Sequence, residues 1–129
     1  MALSLHAFTL VVPDYDAAIA FYVGKVGFTL IQDTKLSEAK RWVLIAASAD
    51  AACHILLARA DGAEQQAAIG KQTGGRVGFF LHSDDFDADY ARMMAAGVTF
   101  EETPRSEPYG KVAVWRDPWG NRWDLLQLT

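Results

Sequence analysis

A pattern that occurs twice, 71 positions apart, constrains this chain more than any other feature. Residues 14–17 read Asp-Tyr-Asp-Ala and residues 85–88 read Asp-Phe-Asp-Ala. Each copy follows an apolar strand pattern and opens an apolar helix pattern, which a glycine closes at Gly27 and Gly97. Three strand patterns follow each helix, so the sequence predicts β-α-β-β-β twice. The predicted strands are residues 5–12, 28–33, 40–46, 53–58, 76–82, 98–103, 111–115 and 121–128.

The repeat predicts an α+β fold made of two tandem modules. We expect module one at residues 1–59, a linker at 60–75 with a short helix near 64–69, and module two at 76–129. Each helix covers one face of its sheet, so two modules side by side can form a curved mixed sheet around a concave cavity. The alternative, a ferredoxin-like sandwich, needs a β-α-β-β-α-β order and lacks the third strand of each half.

Composition and charge limit the classes of partner that this chain is expected to bind. With 129 residues the chain is one domain, and a net charge of −4 without a basic stripe argues against nucleic acid. The apolar run at residues 7–12 is too short to cross a membrane, so we expect no membrane partner. Cys53 is the single cysteine, which fits a reducing, cytoplasmic location.

A hairpin near the C-terminus presents a carboxylate. Pro118, Gly120 and Asn121 form a turn between two strand patterns. Side chains alternate along a strand, so Asp124 points away from the apolar face that Trp123 and Leu125 define. A plain hairpin with an exposed acid is the simpler interpretation of this stretch alone.

Residues 10–22, 26–30 and 117–124 together resemble the vicinal oxygen chelate superfamily, which holds glyoxalases, bleomycin resistance proteins and dioxygenases. The resemblance covers essentially the whole chain. It implies the paired-module fold, a small-molecule ligand in the cavity between modules, and a homodimer. If the chain is one of the enzymes of the superfamily, the resemblance also implies one divalent metal ion (Zn, Ni, Mn or Fe), held by side chains from the first and last strand of each module.

The resemblance assigns four metal-ligand positions, of which only one carries a ligating side chain that can be placed. The last-strand position of module two falls on Asp124. The first-strand positions fall on Ala7 and Gly78, neither of which has a ligating side chain. The fourth lies within residues 53–57, in a register that the sequence does not determine.

Two histidines are the candidates to complete a metal site. His54 lies mid-strand and could join Asp124 if its side chain faces the cavity. His6 is one residue from the expected position and could ligate only if a β-bulge turned it. The candidate metal ligands are therefore Asp124, His54 and His6. Transition metals usually need three protein ligands, so a chain without any metal is equally plausible.

Other candidate site residues are aromatic or basic. Phe80 shares the face of Gly78 and Tyr109 lies in a predicted loop at the cavity mouth, while Trp42 lies in a strand of module one. Arg122 shares the face of Asp124 and could pair with it or with an anionic substrate. These four are the candidate ligand-binding residues. No catalytic residue is assigned.

Three functions remain open from the sequence. The first is a metal-dependent lyase, isomerase or ring-cleaving dioxygenase, in which the ion polarises adjacent substrate oxygens. The second is a metal-free protein that sequesters a drug or metabolite, for which aromatic walls and an acidic surface suit a cationic planar molecule. The third is an accessory domain kept for dimer contacts.

Overall fold

The computed structural model describes residues 2–129 in two compact units, one through Ile69 and one from Gly70 to Thr129. The predicted α+β class with two tandem units is confirmed, and the second unit has one strand more than the predicted β-α-β-β-β order. The elements of the first unit are β1 (Ala7–Val12), α1 (Tyr15–Phe21), β2 (Thr29–Lys35), β3 (Arg41–Ala46), β4 (His54–Arg59) and α2 (Ala63–Ala68). Those of the second are β5 (Val77–His82), α3 (Phe86–Ala95), β6 (Thr99–Phe100), β7 (Arg105–Glu107), β8 (Gly110–Arg116) and β9 (Arg122–Leu128).

The aspartates that open the repeated pattern cap the two helices. The Asp14 carboxylate accepts a hydrogen bond from the Ala17 amide at 2.8 Å, and Asp85 does the same for the Ala88 amide at 3.3 Å. Each bond satisfies an amide that has no partner within the helix. After α1 the chain continues through a π-helical turn, Tyr22–Val26, and ends at Gly27 in a left-handed conformation (φ 101°).

The sheet of the first unit has the order β1-β4-β3-β2, with β1 and β4 parallel and the other pairs antiparallel. Alternation sends one set of side chains toward α1, which contributes Tyr15, Ala18 and Phe21 to the core. The buried residues on that face of the sheet are Leu10, Val12, Val43, Ile45, Ile55 and Leu57. The opposite face carries Trp42, Leu44, Leu56 and Ala58.

The sheet of the second unit has the order β5-β9-β8-β6, and β7 pairs with β8. Its core contains Trp115 and Trp123, whose rings stack with centroids 4.9 Å apart, beside the buried Phe86 and Met93 of α3. The predicted strand at residues 98–103 is only two residues long in the structure. The chain then re-enters the sheet as β7, which the sequence prediction missed because residues 104–108 are proline-rich and charged. No helix within residues 2–129 is long and apolar enough to cross a membrane.

The turn between β8 and β9 depends on a buried carboxylate. Asp117 is only 5% exposed. Its side chain accepts hydrogen bonds from the Trp119 amide (3.0 Å), the Asn121 amide (2.9 Å) and the Asn121 side-chain amide (2.6 Å). Three donors therefore share one acceptor group, which holds β8 and β9 in register on either side of the turn.

Replacing Asp117 with alanine should lower the free energy of unfolding by about 3 kcal/mol, because three donors in a buried turn lose their acceptor. Urea unfolding followed by circular dichroism measures the change. Asp84→Ala, at a fully exposed side chain in the same unit, is the matched control and should change the free energy by less than about 0.5 kcal/mol. Equal, small effects at both positions would contradict this account of the turn.

Candidate functional site

Strands β3 and β4 are paired over three residues only. Val43, Leu44 and Ile45 face Leu57, Leu56 and Ile55. Before Val43, β3 continues to pair with β2, through Trp42 and Arg41. After Leu57, β4 continues to pair with β1, through Ala58 and Arg59. The two strands therefore separate at this end, each held by its other neighbour.

A cavity of about 400 Å³ lies where the strands separate. Its walls are residues 39–42 at the start of β3 and residues 56–61 at the end of β4, together with Tyr15 and Gln65. This volume is within the range of small-molecule sites. We name it the β3–β4 cavity.

One arginine in the cavity lining is bonded to β2 and to the start of α1. The Arg41 guanidinium forms two hydrogen bonds with Asp33 (2.6 and 3.1 Å) and a third with Asp16 (2.8 Å). It also lies over the Tyr15 ring, 5.2 Å from the centroid, and the Arg41 amide donates to the Tyr15 hydroxyl at 3.2 Å. The hydrogen bonds from Arg41 hold the pKa of the Asp33 carboxyl below its ordinary value. Arg41 thus ties β3 to β2 and to the start of α1.

The walls of the β3–β4 cavity combine apolar and charged groups. Trp42 is 38% exposed and shares the sheet face of Leu56 and Ala58. Lys40 and Arg59 are exposed on opposite walls, and within residues 2–129 neither forms an ion pair. Sequence reasoning selected Trp42 but missed both cations, since an exposed lysine or arginine gives no signal in a strand pattern.

The structure brings His6 and His54 together. The His54 amide donates to the His6 carbonyl at 2.8 Å, and the two imidazole rings lie 5.4 Å apart between centroids. His6 precedes β1, and the β1–β4 pairing runs from Ala7 to Val12 without the bulge that the prediction required. The Nδ1 atom of His54 is buried and has no hydrogen-bond partner within residues 2–129.

The strand register resolves the fourth metal-ligand position. Phe80 pairs with Asp124 in the second unit, and Thr9, which is 71 residues before Phe80, pairs with Leu56 in the first. Leu56 is therefore the counterpart of Asp124. His54 shares its sheet face but lies two residues earlier, about 7 Å along the strand.

The ligand set that the resemblance implies does not fit these residues. Three of its four positions carry Ala7, Gly78 and Leu56, whose side chains cannot bind a metal. Among residues 2–129 no three His, Cys, Asp or Glu side chains are grouped as a metal site. His6 and His54 offer two nitrogens in the first unit, and Asp124 offers its carboxylate in the second.

Asp124 lies in the second unit in the orientation that the sequence predicts. Trp123 and Leu125 are buried, and Asp124 points to the other face between Phe80 and Val114. Its Oδ1 atom is buried without a hydrogen-bond partner in the described part of the chain. Burial raises the pKa of the Asp124 carboxyl above its ordinary value. Glu102 raises it further, whereas Arg105 and Arg122 lower it.

The remaining candidates lie on the surface of the second unit. Arg122 pairs with Glu101 through two hydrogen bonds of 2.9 Å and donates to the Gly75 carbonyl, so its guanidinium is not paired with Asp124. Phe80 is 65% exposed. Tyr109, at 49% exposure, lies in the turn between β7 and β8, where the sequence predicted a loop.

Two tandem units, in each of which a strand and a helix precede three or four further strands, define a class of α+β proteins, and here the first unit carries a ligand-sized cavity. The family model described as Glyoxalase/Bleomycin resistance protein/Dioxygenase superfamily matches residues 4–125, and the chain belongs to this superfamily. The sequence-based resemblance is thereby confirmed.

Individual relatives align with this chain over all or nearly all of its length. An uncharacterised protein of Shewanella frigidimarina (strain NCIMB 400) is 50% identical over all of this chain and 96% of its own. The crystal structure of UcmS2 superposes with a TM-score of 0.84 at 31% identity, covering 98% of each chain. That of TnmS3, described as an antibiotic binding protein from Streptomyces sp. CB03234, gives 0.79 at 32% identity and covers 100% of this chain and 99% of its own.

The raised pKa of Asp124 predicts a pH-dependent effect of Asp124→Asn. A raised pKa means that the folded state binds the proton more tightly than the unfolded state, so ionisation of Asp124 costs stability above the folded pKa. The stability of the variant relative to the parent should therefore rise as the pH increases from 3 to 7. Urea unfolding at several pH values measures this difference.

Asp84→Asn, which removes a charge from a fully exposed side chain of the same unit, is the control for that experiment. A difference between Asp124→Asn and the parent that stays constant, or falls with rising pH, would show that the carboxyl is not destabilised by its burial.

Proposed function

We propose that this chain is a small-molecule-binding protein that holds a flat aromatic ligand in the β3–β4 cavity and needs no bound metal to do so. One observation carries the proposal: a cavity of ligand size is lined by a partly exposed tryptophan on an apolar sheet face. A ring that stacks on Trp42 would remove apolar surface of both partners from water, at little cost in side-chain entropy. The antibiotic-binding description of TnmS3, which is 32% identical, supports the same function.

The residue types at the resemblance-derived metal positions favour binding over metal-assisted chemistry. Ala7, Gly78 and Leu56 leave Asp124 as the single ligating side chain of that set. Binding requires only the shape and the polar groups of the cavity, which the first unit supplies from its own residues. The homodimer and the cytoplasmic location that the sequence suggests stay predictions.

Trp42 should report ligand binding directly. We expect at least one of three probes that share a naphthalene ring, 2-naphthoate, 2-naphthamide or 2-naphthylmethylammonium, to quench the tryptophan fluorescence of the protein. Trp42→Phe should lose most of the quenching and, by calorimetry, bind that probe about three- to tenfold more weakly, because phenylalanine offers a smaller stacking surface. Trp119→Phe, outside the cavity lining, should retain both.

Two results would refute the proposed function. One is the absence of binding for all three probes to a folded protein at millimolar concentration. The other is quenching that survives in Trp42→Phe but is lost in Trp119→Phe, which would move the site out of the first unit.

Metal-assisted lyase or dioxygenase chemistry is the second candidate, and the His6–His54 pair favours it. Two imidazoles lie 5.4 Å apart between ring centroids, and the buried Nδ1 atom of His54 lacks a partner within residues 2–129. An ion bound there would still need ligands from outside this pair.

Metal analysis of protein purified without a histidine tag separates the two candidates. The binding proposal predicts less than about 0.1 equivalent of Zn, Ni, Mn or Fe, and probe binding that is unchanged by chelator treatment, because no described group supplies three ligands. One equivalent of metal that is lost in both His54→Gln and Asp124→Asn would favour the enzyme instead. Loss in His54→Gln alone would indicate a site confined to the first unit.

A further inference from the structure

We infer that the β3–β4 cavity selects an aromatic molecule that carries an anionic group, such as a carboxylate or phenolate. This inference rests on the proposed function and specifies its ligand class. It reverses the preference for a cationic planar drug that the net charge of −4 suggests. The difference arises because a bound ligand senses the charges of the cavity walls more strongly than the charge of the whole chain.

The cavity walls carry two available cations. Lys40 is two residues before Trp42 on the β3 side, and Arg59 follows Ala58 on the β4 side. Both are exposed, and neither forms an ion pair within residues 2–129. Lys40 and Arg59 thus line the same cavity as Trp42, one on the β3 wall and one on the β4 wall.

Arg41, the third cation of the lining, is already engaged. Its guanidinium is bonded to Asp33 and Asp16, and neither carboxylate is part of the cavity lining. Arg41 therefore contributes no unpaired positive charge to the cavity. The one acid of the lining is Asp61, whose backbone amide donates to the Gln65 side chain at 2.9 Å. Among the lining residues that are not already paired, two cations therefore face one acid, while the adjoining Arg41–Asp33–Asp16 cluster holds two acids for one cation.

An arginine and a lysine also suit an anionic substituent chemically. The Arg59 guanidinium can form two parallel hydrogen bonds with a carboxylate, and Lys40 supplies a mobile ammonium group. Both side chains are exposed, so each contact should contribute modestly: an exposed ion pair changes an affinity by up to about fivefold. The expected selectivity is therefore moderate and dependent on salt.

The three naphthalene probes test this inference, since they share a ring and differ in charge. Calorimetry at low ionic strength should show 2-naphthoate binding at least about fivefold more tightly than 2-naphthylmethylammonium, with the neutral 2-naphthamide between them. In 1 M NaCl the difference should shrink to less than about twofold, because salt screens exposed charges. This salt dependence uses the unaltered protein and does not rely on any variant folding.

Variants then assign the selectivity to the two cations. Lys40→Gln combined with Arg59→Gln should bring the affinities for the anionic and cationic probes within about twofold of each other. Lys71→Gln combined with Arg76→Gln makes the same change in net charge at exposed residues outside the lining, and should leave the selectivity intact. Asp61→Asn should strengthen 2-naphthoate binding, since it removes the acid of the lining.

The outcomes separate the inference from the proposed function. If no naphthalene probe binds, both fail. If all three bind through Trp42 with equal affinity at low salt, the binding function stands and the anion preference is wrong. An equal loss of selectivity in the two double variants would attribute it to the overall charge of the chain and would also overturn the inference.

Discussion

The early separation of β3 from β4 is the constraint on which the candidate site depends. Antiparallel neighbours usually pair along their length, because each unpaired strand edge leaves backbone groups without partners. Here the Val43–Leu57 pair is the last one at this end, and beyond it the Arg41 amide donates a hydrogen bond to the Tyr15 hydroxyl. The Arg41 guanidinium also forms ion pairs with the carboxylates of Asp33 and Asp16. The gap is thus stabilised by specific bonds.

The gap turns one end of a half-buried sheet into a cavity. Alternation along the strands places Val43 and Leu57 in the core under α1 and leaves Trp42 and Leu56 on the other face. If β3 and β4 were paired along their whole length, Trp42 and Leu56 would form part of a flat surface. Because the strands separate, Trp42 lines a cavity. Lys40, before the paired part of β3, and Arg59, after the paired part of β4, lie in its walls. Shape and charge therefore come from the same departure in pairing.

The sequence predicted the features that depend on local periodicity. The repeated pattern marks the starts of α1 and α3, and Asp124 points away from the core, as the alternation of strand residues requires. The cavity was not predictable in this way. It depends on β3 staying paired with β2, and β4 with β1, after the two strands separate. It also depends on the bonds from Arg41 to Asp33 and Asp16, which lie 8 and 25 positions away in the sequence. The counterpart of Asp124 likewise became assignable as Leu56 only from the paired register, because the pattern of residues 53–57 is compatible with several alignments.

Backbone amide NMR of the full chain during titration with 2-naphthoate tests the central claim most directly. The account predicts that the largest chemical-shift changes fall on residues 39–42 and 58–61, the two walls that the separated strands form. The amides of Leu44 and Ile55, inside the paired segment, should change less. Changes concentrated in the second unit around Phe80 and Asp124, with residues 39–42 and 58–61 unaffected, would contradict the account.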